Sequence, residues 1–157
     1  MLELCIKGVT IVTLTKIFHR DFHGCYQRSI WMVEMEEFLD ITEELSGEIP
    51  AEFFEGLNGG VRISEECKVN PHARNGDLII LGEYHRDSAM GCHIMMYYGS
   101  FMRVYGYLGV VELKARMRKT LRHEFRHHLE HRSGLKDLEI EDQKFLLEYL
   151  KKNRIEE

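Results

Sequence analysis

The last third of the chain contains His123-Glu124-Phe125-Arg126-His127. On a helix, residues four apart project from one face a turn apart, so His123 and His127 can offer two imidazole nitrogens to one metal ion, each at about 2.0–2.1 Å if the ion is zinc. Glu124 is rotated by about one hundred degrees from His123, which sets its carboxylate beside that ion. There it can take a proton from metal-activated water as hydroxide attacks a carbonyl, and deliver it to the leaving nitrogen. These residue types in this order predict a Zn2+ site with Glu124 as general base, hydrolysing peptide bonds of a peptide or protein substrate.

A zinc site of this kind needs a third protein ligand. His131 stands four residues beyond His127, but three ligands rising along one straight helix cannot converge on one ion. Carboxylates after Gly134 are better candidates. Asp142 falls in an otherwise apolar stripe with Leu138, Phe145, Leu146 and Tyr149, and an acid facing inward needs a partner such as a metal. Asp137 is the rival third ligand, with helix N-capping as its alternative role. Glu139 and Glu141 are expected to be solvated.

The elements that must position these groups are legible from periodicity. From about 111 to 133, Leu113, Met117, Leu121, Phe125 and Leu129 recur at four-residue spacing along one stripe, which predicts a long amphipathic helix terminated at Gly134. A final helix is expected over roughly 138–152. Near Met32 another helical pattern begins, with Phe38, Ile41 and Leu45 among glutamates and an end at Ser46-Gly47. Pro50 opens a second small helix that Asn58-Gly59-Gly60 closes. Segments 61–64, 78–81 and 93–98 are rich in β-branched, aromatic or apolar residues and predict three strands, with a further short strand at 101–105.

At 157 residues the chain can bury one core. Apolar residues at 44% and charged residues at 30% are ordinary for a globular protein and give no sign of disorder. The charge of −5 argues against a protein that coats nucleic acid. Cys5, Cys25, Cys67 and Cys92 contain no Cys-x-x-Cys pair, so reduced thiols in the cytoplasm are expected. The apolar run from Val9 stops at Lys16, far short of a membrane span, so no membrane association is expected.

With these residues in place, the chain resembles the small bacterial family of minimal zincin-like metallopeptidases, some of which carry His-Glu-x-x-His-x-x-Gly-x-x-Asp. The resemblance runs from about Glu34 to Tyr149. It rests on Glu52-Phe-Phe-Glu-Gly-Leu-Asn-Gly-Gly60, Leu81-Gly-Glu-Tyr84, Tyr97-Tyr-Gly-Ser-Phe101 and Leu121-Arg-His-Glu-Phe-Arg-His-His-Leu-Glu130. It implies an α+β zincin-like fold, with a small mixed sheet packed against the motif helix and a C-terminal helix, and an edge strand that could hold an extended peptide. His123, Glu124 and His127 carry over directly. The third ligand does not, because the glycine here lies seven residues after His127, at Gly134. Gly134-x-x-Asp137 keeps the local spacing, while Asp142 keeps the position relative to the last helix and is preferred. Arg126 departs from the uncharged flanks of the family motif.

The resemblance divides the chain into an N-terminal extension, 1–31, and a single zincin-like domain, 32–157. A start codon assigned too far upstream is one explanation for the extension. Tyr97 or Tyr98 is a candidate to stabilise an oxyanion, against packing in or beside the sheet. The alternative function is a non-catalytic zincin scaffold that binds metal or a protein partner. Nucleic-acid binding through Lys114, Arg116, Arg118, Lys119, Arg122, Arg126 and Arg132 ranks below both, because these residues spread around the helix and fit a solvated surface.

Overall fold

The structure is a computed structural model and describes residues 2–5, 9–13 and 33–154. Among the described residues the fold is mixed α/β, with four helices and a curled mixed sheet. In chain order the elements are β1 (Leu2–Cys5), β2 (Val9–Thr13), α1 (Met35–Gly47), a 3-10 turn (Ala51–Phe54), β3 (Gly60–Ser64), β4 (Lys68–Val69), β5 (Leu78–Asp87), β6 (Gly91–Tyr97), α2 (Tyr98–Tyr105), α3 (Val110–Ser133) and α4 (Asp137–Arg154). The sheet order is β1-β2-β5-β6-β3, with β4 also on β5. β3 and β6 run parallel and every other pair is antiparallel.

One face of the sheet is closed by α1, α2 and α3. Phe38, Ile41 and Leu45 of α1 and Leu113, Met117, Leu121 and Phe125 of α3 pack there with Ile79, Leu81, Ile94 and Met96. The four-residue stripe of α3 is thus the buried one. Its basic residues tie it to the layer in front: Arg118 makes two 2.8 Å bonds to the Glu48 carboxylate, Lys114 pairs with Glu44, and Arg132 lies 2.6 Å from Glu55. The opposite face, at Leu78, Ile80 and Tyr97, is covered by Phe145, Leu146 and Tyr149 of α4.

The register of β2 on β5 slips between Thr10↔Gly82 and Ile11↔Ile80, leaving Leu81 as an extra residue. Such a bulge reverses which face later side chains take. Before it, Ile79 and Leu81 join the α3 side; after it, Tyr84 packs on that side while Glu83 points the other way, toward Tyr97 and Lys68.

The strand expected at 101–105 is a helix. Ser100, Phe101, Val104 and Tyr105 are the buried residues of α2, a helical spacing, and the Phe101 ring packs tilted against Phe38 of α1 with centroids 5.3 Å apart. A covering helix satisfies its own backbone, whereas a strand here would need a neighbour to pair with. β5 extends six residues beyond the predicted 78–81, because pairing with β6 continues through Asp87. Of the extension 1–31, two stretches form strands and residues 14–32 lie outside the described residues, as does the boundary expected near Met32. No helix among the described residues is long and apolar enough to cross a membrane.

Candidate metal centre

The motif residues lie in the second half of α3, the helix that the buried stripe anchors to the sheet. α3 ends at Gly134, whose φ of +73° is left-handed. Leu135 N–H donates to Glu130 C=O at 3.0 Å and Gly134 N–H to His131 C=O at 3.4 Å, the paired bonds of a Schellman stop. The Glu130 carboxylate then accepts from the Leu138 N–H at 3.1 Å, satisfying an otherwise orphaned donor in the first turn of α4. One glutamate on α3 therefore pins the start of α4 and sends it back past the motif.

That return brings Asp142 to His127. His127 Nε2 lies 3.1 Å from Asp142 Oδ2, and His123 Nε2 lies 2.8 Å from His127 Nε2. The ligand atoms of His123, His127 and Asp142 all fall within 4.8 Å of one another. Two imidazoles and a carboxylate converging at that spacing could hold a metal ion. His123 is half-buried, whereas His127 and Asp142 are 7% and 4% exposed. Burial, reinforced by the neighbouring His127 and by the charges of Arg126 and Lys119, pushes the His123 imidazole down to about 3, so it stays neutral with a nitrogen lone pair to offer.

The other expected residues are placed apart. Asp137 opens α4 and is exposed, outside the cluster, because it precedes by more than a turn the face that α4 presents to α3. His131 is exposed, with Nδ1 at 3.2 Å from the Tyr84 hydroxyl; it has climbed a further turn along α3. Glu139 is half-buried and Glu141 exposed. Tyr97 donates to Glu83 and accepts from Lys68, and Tyr98 donates to the Val33 carbonyl at 2.9 Å; both belong to the sheet and its flank.

Glu124 is fully buried, at 0% exposure, against β5 at Gly82. A Cβ at Gly82 would sit 2.8 Å from Thr120 Cγ2 and 3.3 Å from Glu124 Cγ. The bare glycine backbone is what lets α3 approach the strand here. Its signal in the sequence is an isolated glycine inside a strand pattern.

A solvated histidine-rich face would leave His128 at the surface. Instead it is 1% exposed, with Nε2 3.0 Å from the Glu55 carbonyl and Nδ1 3.2 Å from the Tyr84 hydroxyl. A cleft of about 420 Å³, lined by Tyr84, Arg86, His127, Glu130, His131 and Lys136 among others, reaches the centre from the far end of β5. Burial and a hydrogen bond with Cys92 raise the Tyr84 phenol well above its ordinary value, so it is protonated at neutral pH.

A solved structure described as a conserved hypothetical protein from Thermo thermophilus is similar to this chain, with 34% sequence identity and a TM-score of 0.55, over 64% of this chain and 98% of that one. The chain belongs to the family of that protein. No family profile matches, and no curated protein does. Kinship with the Thermo thermophilus protein therefore supports the fold, while the chemistry rests on the site itself.

Proposed function

We propose that the chain is a zinc-dependent peptidase of zincin-like architecture, with His123, His127 and Asp142 as metal ligands and Glu124 as general base. The observation that carries this reading is the convergence of three ligand atoms within 4.8 Å from two helices; the glutamate that follows the first histidine in sequence is buried on the same helix. A bound zinc ion would supply Lewis acidity toward water and toward a substrate carbonyl. Glu124 takes a proton from the attacking water and returns it to the leaving amine nitrogen. The cleft past Tyr84 and His127 supplies the approach.

A second reading, a scaffold that binds metal without hydrolysis, is favoured by the complete burial of Glu124, since a general base must reach water. Metal analysis of the purified protein and a peptidase assay of Glu124→Gln separate the two. The peptidase reading expects one zinc per chain, and a Glu124→Gln variant that keeps the metal while losing about a hundredfold or more in rate, as loss of acid–base catalysis does. Stoichiometric zinc with equal activity in both proteins, or no zinc, sinks it.

A further inference from the structure

We propose that β2 occupies the strand position that an extended peptide would take on β5, so that the chain's own N-terminal hairpin closes the β5 edge of the metal centre. This rests on the peptidase reading above and adds a means of regulating it.

β5 has two edges. One is taken by β6 along Gly82–Asp87 and by β4 at Ile79 and Ile80. The other, over Leu78–Glu83, is paired antiparallel by β2. Without β2, that edge would present a row of unpaired N–H and C=O groups, the template on which extended peptides add as a further strand.

The position of this edge decides what the hairpin covers. Thr10 pairs with Gly82, whose backbone rests against Thr120 and Glu124. Paired strands lie about 4.7–4.9 Å apart, so β2 passes the level of Glu124 one strand spacing beyond Gly82. β2 also lies against α3, and β1 against α4. The hairpin therefore flanks β5 on the side where it also meets the two helices that bear His123, His127 and Asp142. Its pairing adds cover along the β5 edge of a centre whose Glu124, His127 and Asp142 are already buried, and leaves the cleft at Tyr84 and His127 as the open side.

The sequence of β2 suits a backbone-read occupant. Val9-Thr-Ile-Val-Thr13 is β-branched at every position and uncharged, a strong strand former that adds to an edge through its main chain. The competing peptide class is accordingly an extended, uncharged segment rich in β-branched residues.

The test uses the full chain and its Ile11→Pro/Val12→Pro variant. Neighbouring residues of a strand between two partners direct their N–H groups to opposite sides, so the two prolines remove one donor from each pairing. Three quantities are read: hydrogen exchange of the β5 amides, the rate at which EDTA strips zinc from the loaded protein, and hydrolysis of unfolded casein. The proposal expects protected β2 and β5 amides in the parent. In the variant it expects loss of β5 protection and roughly tenfold faster exchange, zinc release and hydrolysis. Synthetic Val-Thr-Ile-Val-Thr-Leu added in trans should restore β5 protection. Random-coil exchange of β2 in the parent overturns the proposal whether or not the variant folds, as do zinc release and hydrolysis that stay unchanged with β2 detached. If neither form cleaves casein while exchange and zinc release respond, the peptidase reading fails and the strand occupancy stands.

Discussion

His127 Nε2 and Asp142 Oδ2 lie 3.1 Å apart, one on α3 and the other on α4. The contact exists because the helices are reversed at Gly134 and pinned at Glu130. Asp142→Asn should lower zinc affinity by more than the roughly 10–100-fold that losing an outer hydrogen-bond partner costs, while Asp137→Asn leaves it unchanged. Competition titration against a chelator of known affinity measures both, and equal affinities would remove Asp142 from the ligand set.

Zinc that binds only the folded chain must stabilise it. Free zinc at a hundred times its Kd should add about 2.7 kcal/mol, and EDTA should remove that increment. Urea titrations with and without metal check this. A chain whose unfolding midpoint ignores zinc does not bind it at a folded site.

Gly82 is where β5 touches the glutamate's helix. Gly82→Ala places a methyl group 2.8 Å from Thr120 Cγ2, and such overpacking costs about 1–3 kcal/mol. Thr120→Ser removes the clashing methyl, so the double variant should recover most of the loss. Additive destabilisation in a urea-denaturation cycle would show that the close approach is not the cause.

Gly134→Ala tests the reversal itself. Nothing lies within 4 Å of the added methyl, so its cost is purely conformational, about 1–2 kcal/mol for a left-handed residue. Gly134→Asn should cost less, since asparagine tolerates this region. Thermal melts of the three proteins give the order Gly, Asn, Ala; Ala equal to Gly would contradict the αL stop.

Glu83 gives a pH dependence from outside the candidate ligand set. Burial alone would raise its carboxyl, but hydrogen bonds from His85, Lys68 and Tyr97 outweigh this and lower it from 4.5 to about 2. A depressed carboxylate contributes stability that is complete above the unfolded value near 4.5 and is lost as pH falls through about 2. The shift corresponds to about 3 kcal/mol. Metal-free protein should therefore weaken progressively below pH 4.5, and Glu83→Gln should be weaker at pH 7 with a flatter profile between pH 4.5 and 2. Parallel profiles for the two proteins would exclude Glu83 as the source.

Much of the site is legible in the sequence because it is local. His123, Glu124 and His127 share one helix, and their relation follows from helical geometry once the stripe from Leu113 to Phe125 is seen. Gly134 as the stop of α3 is equally local. Asp142 is legible at one remove, as an acid in an apolar stripe. By contrast, residues 101–105 of α2 read as a strand, because that stretch is short and mostly apolar or aromatic and only its contact with Phe38 shows which side must be covered.

The sequence by itself determined the two histidines, the glutamate between them and the helix that carries them, since these depend on a repeat of about 3.6 residues and on side chains a turn apart. Only the tertiary structure decided which carboxylate meets them, that Gly82 admits the helix, that a bulge turns Glu83 away from Glu124, and that β2 lies along β5. Each of these joins residues distant in sequence, through a chain reversal, a strand register or a close backbone approach, and none leaves a local period to read.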